Sequence, residues 1–372
     1  MPEFNIRALE GCTSFLTCDV LDMEYYAALV ERAAAHGVNT LILFVIPDSY
    51  YPETSATKSW EFELGFDWPC EAYPQYRNPN CTNAHPDTEY LPQLIRLCHA
   101  AGIKVYLRTI NNKHKWLFPQ HETWRAKLLN RHDEVVPTQS CSWDNSEFMD
   151  YYYTVLRDLL NRYATGSESI DGLILDQQKC FGLYVNDETV AKFEQTMDRP
   201  FRLLDREALC EYWSTSNAQR VKDTVAFCKA INPSLHIGVT LEGLLRERFE
   251  NGMSGMGHAY FNHRSTGADF IHHQVFDQSE ENCLFMWEKL STDGPLWIML
   301  DPTAADAGWD KEYWGWTPRT PDSIAKDIER VKTLRHRLSH SNNLVGITEF
   351  PITRLPLDHP NLSSVLQSLS QI

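Results

Sequence analysis

Residues 170–176 read IDGLILD, an apolar run that closes on Asp176. A carboxylate at the end of a buried run is costly unless that end meets water, a partner or a ligand. The same shape recurs at residues 235–242 (LHIGVTLE, closing on Glu242), 295–301 (PLWIMLD, closing on Asp301) and 344–349 (NLVGITE without its leading Asn, closing on Glu349). All four runs are continuously apolar rather than alternating. That is the pattern of parallel strands covered on both faces.

Outward from these, the chain alternates apolar runs with amphipathic stretches. Strands are expected at Phe4–Leu9, Thr40–Ile46, Ile103–Ile110 and Asp269–Val275 besides the four above. Helices are expected at Met23–Ala35, Glu89–Ala101, Glu147–Tyr163, Glu207–Ile231, Glu280–Leu290 and Pro321–Leu338, the first two stopped by Gly37 and Gly102. Eight strands with helices between them predict an α/β fold, a closed (β/α)8 TIM barrel spanning residues 1–372 as one catalytic domain. A doubly wound open sheet is the rival, but no GxGxxG or GxxxxGK[ST] follows any strand.

Connection lengths support the barrel independently. Helix-to-strand segments are short, as in His36–Asn39, Gly102, Asn232–Ser234 and Thr292–Gly294. Strand-to-helix segments are long, as in Pro47–Thr88, Asn111–Ser146, Gln177–Arg206, Gly243–Ala268 and Pro302–Thr320. In such a barrel the long loops all emerge at the C-terminal face, where the acidic strand ends also lie.

The 372 residues carry 34 basic and 50 acidic side chains, a net charge of −16, with no Lys/Arg block. This argues against nucleic-acid and anionic-membrane partners. No window is apolar enough to span a bilayer, and MPEFNIRALEGC lacks the pattern of a secretion signal. The ten cysteines are scattered without a CxxC pair, which reads as reduced thiols in a cytoplasmic protein.

Asp176, Glu242, Asp301 and Glu349 are the candidate catalytic residues; Glu10 and Asp48 follow the first two strands in less regular contexts. Two carboxyl groups flanking a sugar can cleave a glycosidic bond, one as acid and the other as nucleophile or base. Extra negative charge nearby stabilises the oxocarbenium-like transition state. Trp309, Trp314 and Trp316 share one loop, and Trp60, Trp68, Trp116, Trp124 and Trp143 lie in others, so flat sugar faces have rings to stack on. Arg108, Asn111, His114 and Lys179 are candidate substrate contacts, as is His273, since only one of the adjacent pair His272-His273 can face inward. A metal set of Glu242, His272 or His273, Asp301 and Glu349 is conceivable, but no HExxH occurs, and no cofactor or metal is expected.

These motifs resemble barrel-type glycoside hydrolases, distantly including the α-amylase superfamily. HAAGIKVYLRTINNKH (99–114) is similar to that family's third-strand motif, and DGLILDQQK (171–179) to its fourth-strand motif. The resemblance implies a nucleophile at Asp176, a retaining mechanism, an acid/base at Glu242 and a charge-stabilising Asp301. The sequence departs from it at Ile174, where the family carries an Arg, and at Cys180, Leu300 and Lys113. The expected function is therefore hydrolysis of an oligosaccharide or glycoside. The alternatives are a metal-dependent sugar isomerase of the xylose-isomerase-like type and a non-catalytic carbohydrate-binding barrel.

Overall fold

The computed structural model describes residues 6–12, 23–44, 75, 91–109, 117–129, 132–176, 183–242, 263–274, 280–300, 320–337, 344–349 and 357–371. The barrel strands are β1 (Ile6–Cys12), β2 (Thr40–Phe44), β3 (Lys104–Thr109), β6 (Gly172–Leu175), β8 (His236–Glu242), β9 (Phe270–Gln274), β10 (Leu296–Leu300) and β11 (Leu344–Glu349). They close in the order β1-β11-β10-β9-β8-β6-β3-β2, every neighbouring pair parallel. All eight expected strands are therefore present, and the open-sheet rival falls.

The helices are α1 (Met23–Ala35), α2 (Leu91–Ala100), α3 (Ser146–Tyr163), α4 (Asp187–Met197), α5 (Arg206–Ile231), α6 (Glu280–Asp293), α7 (Pro321–Arg337) and α8 (Pro360–Ser370). Helix α3 shows why they form. Asn145 caps it by accepting from the Phe148 N–H at 2.9 Å, and Phe148, Tyr151, Tyr152, Val155, Leu159 and Tyr163 recur at helical spacing on its buried face. Helices α1 and α2 run into Gly37 and Gly102, whose φ of 75° and 74° suit glycine.

Three strand starts share a device. Asn39, Asp171 and Asp269 immediately precede β2, β6 and β9. Each accepts from the backbone N–H of the second residue of the strand before it: Arg7 at 3.0 Å, Val105 at 2.8 Å and Ile237 at 2.7 Å. Each also donates its own N–H to the carbonyl of that same residue. This two-bond grip pins the register of alternate strand pairs.

The N-terminal end of the barrel interior is filled by aromatic rings. Phe270 and Trp297 stack at 4.1 Å, Tyr106 meets Trp297 edge-on at 5.1 Å, and Tyr106 Oη lies 3.0 Å from Nδ1 of His236. Glycines make the room. A Cβ on Gly172 would sit 1.9 Å from the Tyr106 ring, and one on Gly238 would sit 2.2 Å from Phe270. Ala8, Ile42 and Ile174 complete this inner cluster, separate from the larger core between sheet and helices.

Two long loops carry structure that hydrophobic periodicity missed. β4 (Arg125–Leu129), β5 (Val135–Cys141) and β7 (Leu183–Tyr184) form an antiparallel sheet ordered β5-β4-β7, drawn from the connections after β3 and β6. Trp124 and Trp143, weighed above as sugar platforms, are instead packing residues of this region. Trp124 stacks on His121 and meets Phe148 and Tyr151, and Trp143 meets Phe148, Tyr152 and the Arg220 guanidinium.

Candidate active site

Side chains two residues apart on a strand share a face. Five strands each present an inner-cluster residue and then, two positions nearer the C-terminal end, a residue of the site. Ala8 leads to Glu10, Tyr106 to Arg108, Ile174 to Asp176, Phe270 to His272 and Trp297 to Met299. The pleat alone thus carries these five side chains into the C-terminal half of the barrel.

Arg108 is the hub. Its Nη1 donates to Glu10 Oε1 at 2.6 Å and its Nη2 to Asp176 Oδ2 at 3.1 Å. Nη1 also lies 3.6 Å from the Met299 sulfur. Both carboxylates are fully buried and Arg108 is 2% exposed. Charges taken this far out of water persist only when paired, and a planar guanidinium can serve two carboxylates through separate nitrogens. The cation between Glu10 and Asp176 is this guanidinium. Among the described residues no group of three or more His, Cys, Asp or Glu is arranged to hold a metal ion.

His272 joins the group from β9, its Nε2 3.5 Å from Glu10 Oε2. Burial pushes its basicity well below the ordinary value of 6.5; Arg108 adds to this, and Asp176 opposes it. The ring is therefore neutral at physiological pH. Among the described residues neither ring nitrogen has a hydrogen-bond partner, nor do the buried hydroxyls of Thr240 on β8 and Thr348 on β11.

His273 corrects an expectation. It is one of the expected substrate contacts, but it faces the helix layer, where its Nδ1 accepts from the Trp287 indole of α6 at 3.2 Å. Strand alternation sends His272 inward instead. Arg108 is in the site, bound to two acids. Glu242 and Glu349 end β8 and β11, in register with Gln274 and with Leu9 and Leu300; their side chains lie outside the described residues. So do Asn111, His114, Lys179, Asp301, Trp309, Trp314 and Trp316 entirely, with Asp48, Trp60, Trp68 and Trp116.

Glu10 is the member that sequence reading undervalued. Its signal was present: RALE (7–10) is a short run closing on an acid, the pattern that singled out the other four. A short strand containing Arg7 made it less regular.

No protein-family model matches the chain, and no curated protein sequence matches it. Solved structures do. The chain is similar to a polyextremophilic β-galactosidase from the Antarctic haloarchaeon Halorubrum lacusprofundi, at 9% identity and TM-score 0.64, over 98% of this chain and 57% of that one. The glycoside hydrolase domain of PgaB (BpsB) from Bordetella bronchiseptica aligns at 11% identity and TM-score 0.65 over 98% of both chains. An endo-1,4-β-mannanase from Rhizomucor miehei aligns at 13% identity and TM-score 0.57, over 99% of this chain and 94% of that one. The chain spans under three-fifths of the length of the β-galactosidases but 98% of the PgaB domain. Its fold is the (β/α)8 barrel that these glycoside hydrolases share.

Proposed function

We propose that this protein is a glycoside hydrolase acting on an oligosaccharide or glycoside. The observation that carries the reading is the meeting of Glu10, Arg108, Asp176 and His272 inside the C-terminal half of the barrel. That is the end at which barrel enzymes of every chemistry build their sites.

In this reading Asp176 is the nucleophile, held ionised beside Arg108, and Glu242 at the end of β8 is the acid/base. Glu242 donates a proton to the leaving oxygen and then activates the incoming water. Asp301 stabilises the positive charge that develops on the sugar ring. Glu349, whose register neighbours Leu9 and Leu300 belong to the outer core, has the smaller supporting part. Asn111, His114 and Lys179 contact substrate hydroxyls, and Trp309, Trp314 and Trp316 offer stacking faces. The fold-level likeness to glycoside hydrolases is consistent with this assignment.

The test is hydrolysis of a panel of aryl glycosides and oligosaccharides by the wild type, Asp176→Asn and Glu242→Gln, each with and without a chelator. The reading expects turnover by the wild type, insensitivity to chelation and loss in both variants. Activity that disappears on chelation, or survives in Asp176→Asn, overturns it.

A further inference from the structure

We propose that Arg108 is a positioning residue rather than a substrate contact, and that Glu10 is its anchor: the guanidinium shared between Glu10 and Asp176 fixes the aim and the charge state of the Asp176 carboxylate. This deepens the glycoside hydrolase reading and rests on it for the role of Asp176.

The geometry is specific. Arg108 and Ile174 are register partners across β3 and β6. Asp176 lies two residues beyond Ile174, just past the end of β6, so the Arg108 side chain leans along its strand direction to reach it. Glu10 arrives from β1, and β2 separates β1 from β3 in the barrel order. Glu10 is in register with Ile42, and Ile42 with Tyr106, so Glu10 stands level with the residue two before Arg108. The two ion pairs use different nitrogens, Nη1 for Glu10 and Nη2 for Asp176. A guanidinium gripped at one nitrogen cannot swing away from the other. The shorter contact, 2.6 Å against 3.1 Å, is the one to Glu10. Glu10 is thus the tighter grip, and Asp176 the looser partner.

Among the described residues facing Asp176, β3 contributes Arg108, β1 Glu10 and β9 His272 as charged or titratable groups. β8, β10, β11 and β2 contribute the uncharged Thr240, Met299, Thr348 and Ile42. The strand-end acids Glu242, Asp301 and Glu349 are the same in every variant below, so they cancel in the comparison.

The consequences of the two substitutions have opposite signs. Removing the cation in Arg108→Met destabilises the ionised form of Asp176. Removing the competing anion in Glu10→Gln gives Asp176 the undivided guanidinium and stabilises that form. A residue that only fills space would move neither.

The experiment follows the Asp176 carboxyl by carbon-13 NMR in aspartate-labelled full-length protein. The line is identified by its absence in Asp176→Asn. The expected result is a titration midpoint raised by about 1–3 pH units in Arg108→Met and lowered in Glu10→Gln. An unchanged midpoint in both overturns the proposal. If Arg108→Met fails to fold, the nearly isosteric Glu10→Gln decides alone: a lower midpoint supports the shared grip, and an unchanged or higher one overturns it. Kinetics provide a second readout. Arg108→Lys lowers kcat with KM nearly constant if Arg108 positions Asp176, and raises KM if Arg108 binds substrate. The titration needs no substrate, so a wild type inert towards every glycoside would sink the proposed function and leave the grip to be judged by NMR.

Discussion

Arg108 and Ile174 sit side by side in register on β3 and β6, and the guanidinium on the first strand reaches the acid two residues beyond its partner on the second. A motif of the α-amylase type would carry an Arg at position 174, where this chain has Ile174. Here the cation reaches Asp176 from the neighbouring strand. Aligning residue with residue along one strand could not reveal this, because the contact runs across the sheet.

Replacing Asp176 is the most direct test of chemistry. Asp176→Asn should lower turnover by several orders of magnitude while the barrel stays folded, since the amide still accepts a hydrogen bond from Arg108. Steady-state rates on the active substrate, with far-ultraviolet circular dichroism as the folding check, decide this. Turnover near that of the wild type would reassign the nucleophile.

Loss of the hub should cost stability as well as activity. Arg108→Met strands two buried carboxylates, and breaking one side of a buried ion pair typically costs about 3–5 kcal/mol. Urea unfolding at neutral pH measures the loss. The double variant Glu10→Gln/Arg108→Met should recover part of it, because one stranded charge is gone.

His272 should make stability fall on acidification. Its proton affinity is depressed in the folded state, so below pH 6.5 the unfolded chain takes up a proton that the native ring refuses. The stabilisation is complete above the unfolded value and is lost as pH falls from there towards the folded one. The slope is about 1.4 kcal/mol per pH unit for the one proton. Unfolding free energies of wild type and His272→Gln between pH 5 and 7 should differ in slope; parallel lines would refute the assignment.

The glycines under the rings make a paired prediction. Gly238→Ala should destabilise by overpacking, about 1–3 kcal/mol or more, since its methyl would overlap Phe270. Phe270→Leu in the same chain should relieve it. Gly172→Ala should respond less to Tyr106→Leu, because its methyl would also lie 2.6 Å from the His236 carbonyl oxygen, which cannot be trimmed. Melting temperatures of the four proteins distinguish the cases.

The strand-start grips can be tested by separating the backbone hydrogen bond from the charge. Asp269→Ala removes the acceptor of both the Ile237 N–H and the Lys229 ammonium, and should cost about 1–3 kcal/mol. Asp269→Asn keeps an acceptor for the backbone bond and should cost clearly less. Equal losses would mean that the Lys229 pair, not the grip on Ile237, dominates.

The barrel was legible because its strands are buried on both faces, so LILF, VYL, GLIL and PLWIML stand out as apolar runs. The hairpin of β4 and β5 was not. RAKLL and VVPTQSC are half exposed, and their partner β7 is only two residues long. Helix α4 lay inside a segment read as loop. In the site, Asp176 was legible from its strand. The partner of Asp176 was not, because which Arg meets which Asp depends on barrel closure and stagger. Between His272 and His273 the sequence offered only alternation without a phase. The phase came from Phe270, whose place among the inner rings sends His272 inward and His273 towards Trp287.

Among the described residues, packed rings close the N-terminal end of the barrel interior. In the proposed reading substrate therefore reaches Asp176 from the C-terminal side, and product leaving by that side should compete with the next substrate.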